Sequence, residues 1–325
     1  MKPNFFLIGP PKCATTAVAR HLAKHPDIFM CEPKEPCYFI YTNGNPYGWP
    51  ARAHPTDPDT YTALFQDADN ARVIGEASPY YIYCEHCAEA IREFQPDAKI
   101  LAILRNPIER AHSMYLYWNQ ENPKAKKLGD ESFREAFLND SYVHDFNPPG
   151  QSNFKVVKWL RDMGYYGRQL KAYYNAFPRE QILVVRYEDL ARDTAECLLQ
   201  IYRFLDVDPT LTSMCLDRVN ATVVPRWRSL YNWLNLNRTS RIRELCKLAF
   251  GRIEQVRAIR TTINRLNTSP ISIKNRLPGA LYDELILHYA QDIEYLSDLT
   301  RMDFTNWLST RDLQLSVSPE LLRRA

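Results

Sequence analysis

The sequence predicts an α/β fold in which a central parallel sheet is flanked by helices. The prediction comes from short apolar runs that end in turns rich in glycine, proline or polar residues. Such runs begin near Phe5, Val73, Lys99 and Ile182. The runs at Phe5 and Lys99 continue into sequence with helical character. Because the carboxyl ends of parallel strands meet at one edge of a sheet, we expect the turns after these runs to share one site.

Composition limits the class of protein before any motif is considered. The chain has 325 residues, of which 45% are hydrophobic and 12% aromatic, which suits one large α/β domain or two small ones. No apolar run approaches the roughly 20 residues that span a bilayer. The short apolar run near the N-terminus is unlike a signal peptide. We therefore expect a cytoplasmic protein without stable membrane insertion.

Charge and cysteine content narrow the expected partners. Lys and Arg number 41 against 38 Asp and Glu, for a net charge of +3, so the sequence has no overall footprint of nucleic-acid binding. The eight cysteines are scattered, which is typical of a reducing compartment. Cys84 and Cys87 have metal-like spacing but lack a second pair, so we interpret them as a chance cluster and predict no metal.

The first turn has the composition of a phosphate-binding loop. Phe5 to Ile8 is predicted as a buried strand, and a helix is predicted from Thr15 with Ile28 among its apolar positions. The N–H groups of such a loop and of the helix N-terminus face an anion, and Lys12 adds a full charge. A Walker A loop places a hydroxyl directly after its lysine, whereas here two residues separate Lys12 from Thr15.

The motif Pro-Lys-x-x-Thr-Thr after an apolar strand resembles the 5′-phosphosulfate loop of sulfotransferases that use 3'-phosphoadenosine 5'-phosphosulfate (PAPS). The resemblance implies that this loop binds the nucleotide and that Lys12 also acts in catalysis. The family usually has Gly where this chain has Ala14, and the extra methyl group is tolerable if the backbone at that position is right-handed helical. The implied cofactor-binding residues are Pro11, Lys12, Cys13, Ala14, Thr15 and Thr16.

A proline-rich segment after the first helix resembles the Lys-Glu-Pro-x-x-Phe segment of carbohydrate-type and bacterial sulfotransferases. The resemblance implies that Glu35 is the catalytic base and that Lys34 lies beside it near the sulfuryl group. Prolines on both sides predict a constrained loop rather than a helix. A right-handed crossover would return this loop to the mouth of the phosphate loop. A solvent-exposed charged loop is the alternative.

Glu76 is a second candidate for a catalytic or acceptor-binding carboxylate. It lies in Gly-Glu-Ala-Ser-Pro-x-Tyr at the end of a predicted strand. Related enzymes often have lysine where this chain has Ala77, so either Lys34 substitutes for that lysine or the acceptor chemistry differs. A strand-end acid that caps a loop is an equally weighted alternative. The other candidate bases are His54, His112 and His144, although a lone histidine more often has a structural role.

The strand that begins at Lys99 ends in Arg105, followed by Asn-Pro and a helix. A P-loop kinase would have an Asp here to hold magnesium, whereas an arginine binds an anion. Arg105 with Ser113 eight residues later resembles the 3′-phosphate site of PAPS-dependent sulfotransferases. The resemblance further implies Tyr187 as an adenine contact and Arg226 as an aid to the cofactor phosphate.

The domain organisation is predicted as a single sulfotransferase domain over residues 1–325. Its core comprises 1–118 and 165–225, and a mobile acceptor-side insert spans 119–164. A helical C-terminal part covers 226–325, and within it 239–266 is predicted as an amphipathic helix whose basic face is solvated. The loop from Asn220 to Arg228 is expected to fold over the nucleotide. No repeat is present.

The resemblance implies a P-loop-like nucleotide-binding core with helical acceptor-binding insertions. We expect a PAPS-dependent sulfotransferase of the EC 2.8.2 type that modifies a hydroxyl of a small-molecule or carbohydrate acceptor and requires no metal. Sulfation of an amine or guanidine-type nitrogen, an ATP-dependent P-loop kinase and a non-catalytic PAPS-binding protein remain alternatives. No nucleic-acid partner is expected, and the oligomeric state stays open.

Overall fold

The computed structural model describes residues 1–42, 54–121, 129–140, 160–216, 223–225, 268–270 and 277–309. Within them, five parallel strands form one sheet in the order β2-β3-β1-β4-β5. This arrangement confirms the predicted α/β class. The strands are β1 (Phe5–Leu7), β2 (Ile28–Met30), β3 (Val73–Ala77), β4 (Lys99–Leu104) and β5 (Ile182–Arg186).

Helices cover both faces of the sheet, which explains the continuous apolar runs of the strands. Successive residues of β1 enter different clusters: Phe5 packs with one helical layer and Phe6 with the other. The helices are α1 (Thr15–Leu22), α2 (Tyr38–Tyr41), α3 (Pro58–Ala63), α4 (Glu85–Phe94), α5 (Pro107–Glu121), α6 (Asp130–Asn139), α7 (Tyr166–Ala176), α8 (Tyr187–Arg192), α9 (Thr194–Leu205), α10 (Gly279–Ile286) and α11 (Ala290–Thr300).

The smaller layer consists of α1 and α9 with part of α8, and it packs on the side chains of Phe5, Leu7 and Leu101. The larger layer packs on the opposite face, around Phe6 and Ile100. It contains α2 to α7 and the C-terminal helices α10 and α11. Among the hydrogen bonds that involve this C-terminal part, Asn106 donates to the Tyr282 hydroxyl at 2.5 Å, and that hydroxyl donates to the Trp307 carbonyl at 2.5 Å.

Two local predictions are wrong. Ile28 belongs to β2 and not to the first helix, because α1 ends at Leu22 and Pro26 interrupts any continuation. The predicted loop from Asn220 to Arg228 contains a strand, Val223–Pro225, which pairs antiparallel with Thr268–Pro270. Its partner lies more than 40 residues away in the sequence, so local pattern gave no sign of the pairing.

Part of the predicted organisation lies outside the described residues. This holds for Arg226, for His144 and for the basic segment 239–266. Within the predicted insert, the described part contains the end of α5 and all of α6, whose Phe133 and Phe137 are buried. The division into core, insert and C-terminal part stays a prediction. In the described ranges, no helix combines the length and apolarity needed to cross a bilayer.

Candidate active site

The loops after β1, β3 and β4 lie at the same carboxyl edge of the sheet. The chain leaves β1 toward β2 on one side and later adds β4 on the other. Strand order therefore reverses at β1, and such a switch point opens a crevice for ligands in open α/β sheets. The loop that carries Lys12 follows β1 and occupies this position.

Close backbone packing fixes the start of the Lys12 loop. A Cβ on Gly9 would lie 2.5 Å from the carbonyl oxygen of Ile103 and 2.6 Å from its backbone nitrogen. Only glycine permits this approach to β4. Further along, Lys12 has φ 75° and Ala14 has φ 63°, both in the left-handed region. The right-handed backbone that would most easily accommodate the methyl group of Ala14 is therefore absent at this position, because Ala14 is the residue that turns the loop into α1.

A left-handed conformation costs about 1–2 kcal/mol for a residue that has a Cβ. The two left-handed residues of this loop nevertheless favour anion binding. Alternation of backbone handedness makes N–H groups converge in a concave nest. Helix α1 begins at Thr15 without a side-chain cap and without an acidic residue in its first turn. Its first N–H groups thus lack intrahelical partners and favour a negative charge.

Lys12 lies at the entrance of this nest. Its ammonium nitrogen is 4.4 Å from the ring centroid of Tyr117 on α5, a cation–π contact that holds the side chain over the loop. Burial and the neighbouring charge of Arg105 lower the pKa of Lys12 to about 8. The ammonium is therefore poised to gain from a nearby anion.

Arg105 adjoins the same loop from the end of β4. Its guanidinium donates to the carbonyl oxygen of Lys12 at 3.4 Å and forms an ion pair with Glu109 at 3.0 Å. It also lies 4.7 Å from the ring centroid of Tyr187. Burial opposes its charge, but Tyr187 and Glu109 more than compensate and raise the pKa of Arg105. The structure thus brings Lys12, Arg105 and Tyr187 together.

The backbone around Arg105 is held from two other elements. The Tyr166 hydroxyl donates to the Arg105 carbonyl at 2.9 Å, and the Asn106 N–H donates to Glu188 Oε1 at 2.8 Å. Asn106 also accepts from the first N–H groups of α5 and so caps that helix. Ser113 follows on α5 and is buried, with 9% of its surface exposed. Its proposed contact with a phosphate stays a prediction.

The Glu35 loop lies at the same edge, after β2. Glu35 has φ 67° and Cys37 has φ 53°, so two residues of this loop are left-handed. The Lys34 ammonium lies 2.5 Å from Glu35 Oε1, and the Glu35 side chain is 40% exposed. Glu35 therefore has solvent access and a cationic neighbour, which agrees with the geometry that a base for an external acceptor requires.

Glu76 has a different environment. It is fully buried, and its carboxylate accepts from the hydroxyls of Tyr61 at 2.5 Å, Ser78 at 2.6 Å and Tyr81 at 3.0 Å. Burial raises the pKa of Glu76 to about 7, although the three hydroxyls oppose the shift. With its oxygens engaged inside the protein, Glu76 fits the alternative of a strand-end acid that supports a loop.

The histidines within the described residues have structural contacts. His54 lies near the Glu35 loop, where Nδ1 is 3.0 Å from the Pro36 carbonyl and the ring stacks on Tyr41 at 4.8 Å. His112 packs edge-on against Phe133 at 5.0 Å, and burial lowers its pKa. Among the described side chains, no group of three or more His, Cys, Asp or Glu could hold a metal.

Two site residues escaped sequence reasoning. Tyr117 follows Ser113 by one helical turn, a spacing that predicts a shared face of α5, but no motif marked it. Tyr61 comes from α3, and nothing in the sequence linked that helix to Glu76. Both partners are brought in by tertiary packing.

A left-handed loop at the switch point of a parallel sheet, with an arginine at the end of the adjacent strand, defines a protein of the P-loop-like α/β class. Residues 2–224 match the family model of the sulfotransferase domain. The match covers more than half of the chain, and the chain therefore belongs to this family. The predicted family is confirmed, and the P-loop kinase alternative is not supported.

Named relatives are similar over about two thirds of the chain. Membrane-associated sulfotransferase kil1 of Dictyostelium discoideum is 28% identical, and the match covers 63% of this chain and 56% of that protein. Carbohydrate sulfotransferase 15 of Rattus norvegicus is 25% identical over 64% of this chain and 44% of its own length. The human bifunctional heparan sulfate N-deacetylase/N-sulfotransferase 3 is 28% identical over 64% of this chain and 22% of its own length. The chain spans about half or less of the length of these relatives.

Among solved structures, a sulfotransferase from Alicyclobacillus acidocaldarius superposes with a TM-score of 0.63 at 23% identity. The match covers 94% of this chain and 99% of that one, and it shows a shared fold. The prediction of a cytoplasmic protein is wrong, because the relatives include a protein named as membrane-associated. The sequence argument failed because association with a membrane does not require a spanning segment in this part of a chain.

Proposed function

We propose that this protein transfers a sulfuryl group from PAPS to a hydroxyl group of a carbohydrate or small-molecule acceptor. The observation that carries the proposal is the meeting of Lys12 and Arg105 across the crevice between β1 and β4. Arg105 stands where a metal-dependent kinase would have a carboxylate. Two cations and an uncapped helix N-terminus suit an anionic nucleotide that binds without magnesium.

The residues present fit PAPS. The 5′ end would be held by the N–H groups of the loop from Pro11 to Thr16, with Lys12 as the charged partner. The 3′-phosphate would bind Arg105, whose planar guanidinium makes paired hydrogen bonds with phosphate oxygens, and Ser113. We retain Tyr187 as the contact for the adenine. One face of the Tyr187 ring lies against Arg105, so the adenine would contact the other face or the edge of the Tyr187 ring.

The chemistry follows from the charges. PAPS supplies an activated sulfuryl group, and negative charge gathers on the departing phosphate oxygen as the bond to sulfur breaks. Lys12, the N–H groups at the start of α1 and the hydroxyls of Thr15 and Thr16 would face that position. Such preorganised donors stabilise charge where it develops, and removal of one donor typically costs about a hundredfold or more in rate.

Glu35 is proposed as the base that takes the acceptor proton. Its carboxylate is exposed at the carboxyl edge, in contrast to the enclosed Glu76, and a positioned base typically contributes about a hundredfold or more. Lys34, at 2.5 Å, would steady the carboxylate and face the transferring group. It also supplies a cation near the place where related enzymes have a lysine and this chain has Ala77.

An amine acceptor is the second candidate. The observation that favours it is the similarity to heparan sulfate N-deacetylase/N-sulfotransferases, at 28% identity for the human protein. An amine is nucleophilic once neutral, so the demand on a base is smaller than for an alcohol. The two candidates therefore differ in how strongly turnover depends on Glu35.

A mass-spectrometric assay tests the proposal. The protein is incubated without magnesium with PAPS and N-deacetylated heparan oligosaccharides, which offer amines and hydroxyls in one molecule, beside a pool of hydroxylated small molecules. We expect a gain of one sulfuryl group, and fragmentation assigns it to oxygen or nitrogen. Lys12→Ala should abolish the gain, whereas Lys24→Ala, an exposed lysine after α1, should not. Tight binding of PAPS with no mass gain anywhere would favour the non-catalytic alternative.

A further inference from the structure

Glu76 forms a buried centre of hydrogen bonds one strand away from the Lys12 loop. It lies on β3 in register with Phe6 of β1. Oε1 accepts from Tyr61 and Tyr81, and Oε2 accepts from Ser78. Acceptance of three hydroxyl donors is the role of an ionised carboxylate, which offers only lone pairs.

Two of these hydroxyls connect Glu76 to the Glu35 loop. Ser78 Oγ accepts from the backbone N–H of Cys37 at 3.1 Å, and the Tyr81 hydroxyl accepts from the N–H of Phe39 at 3.4 Å. Each hydroxyl has one hydrogen, which it donates to the carboxylate, so its lone pairs are turned toward the loop. Glu76 thereby fixes the direction in which both hydroxyls can bind.

The segment whose N–H groups donate these hydrogen bonds has an unfavourable backbone conformation that its surroundings must fix. Glu35 and Cys37 are both left-handed, and neither is glycine. Such conformations persist only where the surrounding structure fixes them, and they concentrate at functional sites. The N–H groups of Cys37 and Phe39 lie two and four residues after Glu35, at the start of α2. Bonds at these two points set the direction in which the chain leaves Glu35.

We propose that Glu76 is a positioning residue for sulfuryl transfer, which orients Glu35 through Ser78 and Tyr81. The inference rests on the proposed function, since Glu35 is its base. Glu76 itself does not touch the acceptor. We call Glu76, Ser78 and Tyr81 the loop clamp. Tyr61 donates to the same carboxylate from α3, but within the described residues its hydroxyl forms no hydrogen bond with the Glu35 loop, so it lies outside the clamp.

Protonation should loosen the clamp. A neutral carboxyl group would direct its own hydrogen at one of three donors, and one hydroxyl would have to turn away. Burial places the pKa of Glu76 at about 7, so this change falls near neutral pH. The charged or titratable groups around the carboxylate, from every element packed against it, are Lys34, Tyr61, Tyr81, Cys31, Cys37 and Cys87.

The chain offers a matched set of variants. Ser78→Ala and Tyr81→Phe each remove one connection, and Tyr81→Phe retains the ring that packs on Phe39. Tyr61→Phe removes one donor to Glu76 while leaving both connections intact, and it serves as the control. Each change deletes a single oxygen, so the fold should be retained.

Amide hydrogen exchange, followed by NMR on the whole chain, is the first measurement. Cys37 N–H in Ser78→Ala and Phe39 N–H in Tyr81→Phe should exchange about fivefold faster, the effect of one lost hydrogen bond of about 1 kcal/mol. In Tyr61→Phe both rates should stay within about twofold of wild type. After correction for intrinsic exchange, protection of both amides in the wild type should fall as the pH is lowered through about 7. Glu76→Gln should not show this dependence.

Kinetics with a hydroxyl acceptor from the mass-spectrometric assay are the second measurement. Ser78→Ala and Tyr81→Phe should lower kcat about tenfold while KM for PAPS stays within about twofold, because the nucleotide site is separate. Unchanged amide exchange in both variants, relative to Tyr61→Phe, would overturn the clamp. A wild-type protein that transfers no sulfuryl group to any acceptor would instead contradict the proposed function, and amide exchange would still decide on the clamp.

Discussion

The guanidinium of Arg105 lies 4.7 Å from the ring centroid of Tyr187 and forms an ion pair with Glu109 at 3.0 Å. These two contacts come from α8 and α5, so the direction of the guanidinium is set before a ligand arrives. A donor that is already oriented loses less conformational freedom on binding. The arginine is therefore expected to discriminate strongly between nucleotides with and without a 3′-phosphate.

Arg105→Ala should weaken binding of 3′-phosphoadenosine 5′-phosphate by about 2–5 kcal/mol, the usual cost of truncating one partner of a buried charged pair. Binding of AMP, which lacks the 3′-phosphate, should change little. Calorimetry without magnesium measures both. Arg192→Ala removes an exposed arginine that pairs with Asp189 within α8, and it should leave both affinities unchanged. Equal wild-type affinity for the two nucleotides would contradict the roles of Arg105 and Ser113.

The pH dependence of nucleotide use should report Lys12. Its pKa is lowered to about 8 by burial and by Arg105, so the ammonium is charged below this value and neutral above it. The value of kcat/KM for PAPS, which reports the free enzyme, should therefore decrease as the pH rises through about 8. In the complex an anionic ligand stabilises the ammonium, so the alkaline decrease in kcat should lie at higher pH.

Lys12→Arg separates charge from geometry in this experiment. A guanidinium stays protonated throughout the accessible range, so the alkaline decrease should disappear even though the rate itself is lower. If the decrease near pH 8 persists in this variant, another group causes it.

Gly9 should be required for stability, independently of chemistry. A Cβ at this position would meet the backbone of Ile103 at 2.5 Å, and a strand backbone cannot move aside as a flexible side chain does. Gly9→Ala should lower the free energy of unfolding by about 1–3 kcal/mol, as in overpacked cores. Gly129→Ala is the control, since nothing lies within 4 Å of its added Cβ. Equal urea midpoints for the two variants would contradict the close approach.

The sequence predicted the parts of the site that lie in continuous segments. The segment after β1 contains Lys12, Thr15 and Thr16, and Arg105 comes directly after β4. Both strands are buried. A parallel sheet brings such strand ends to one edge, so linear position was sufficient to group Lys12 and Arg105. The order of residues in each loop then indicated a site that differs from the magnesium-binding Walker A arrangement.

The parts that were missed depend on contacts between distant segments or on local handedness. Ala14 is left-handed at 63°, a conformation that alanine rarely adopts and that its neighbours impose. Glu76 was singled out as a carboxylate, but its role depends on Tyr61, Ser78 and Tyr81, of which Tyr61 comes from a separate helix. The burial of Glu76 could not be deduced from the sequence, because the alternation of side chains along a strand is compatible with either face of the sheet.

Glu35 provides the sharpest test of mechanism, because a base acts on the acceptor and need not hold the nucleotide. Its side chain is 40% exposed and contacts Lys34 at 2.5 Å, so replacement by glutamine keeps its size and some hydrogen bonding while removing its capacity to take a proton. The same loop contains Glu32, which is exposed and accepts from the Lys34 N–H at 3.3 Å. Glu32→Gln is thus a matched control.

With a hydroxyl acceptor, Glu35→Gln should lower kcat by about a hundredfold or more, while Glu32→Gln should remain near wild type. Affinity for 3′-phosphoadenosine 5′-phosphate, measured by calorimetry, should stay nearly constant, because the change adds no charge that repels the nucleotide. Near-normal turnover in Glu35→Gln, with loss in a His54 variant, would move the base to the histidine. If all of these variants retain turnover, proton removal does not limit the reaction, and the acceptor is an amine rather than an alcohol.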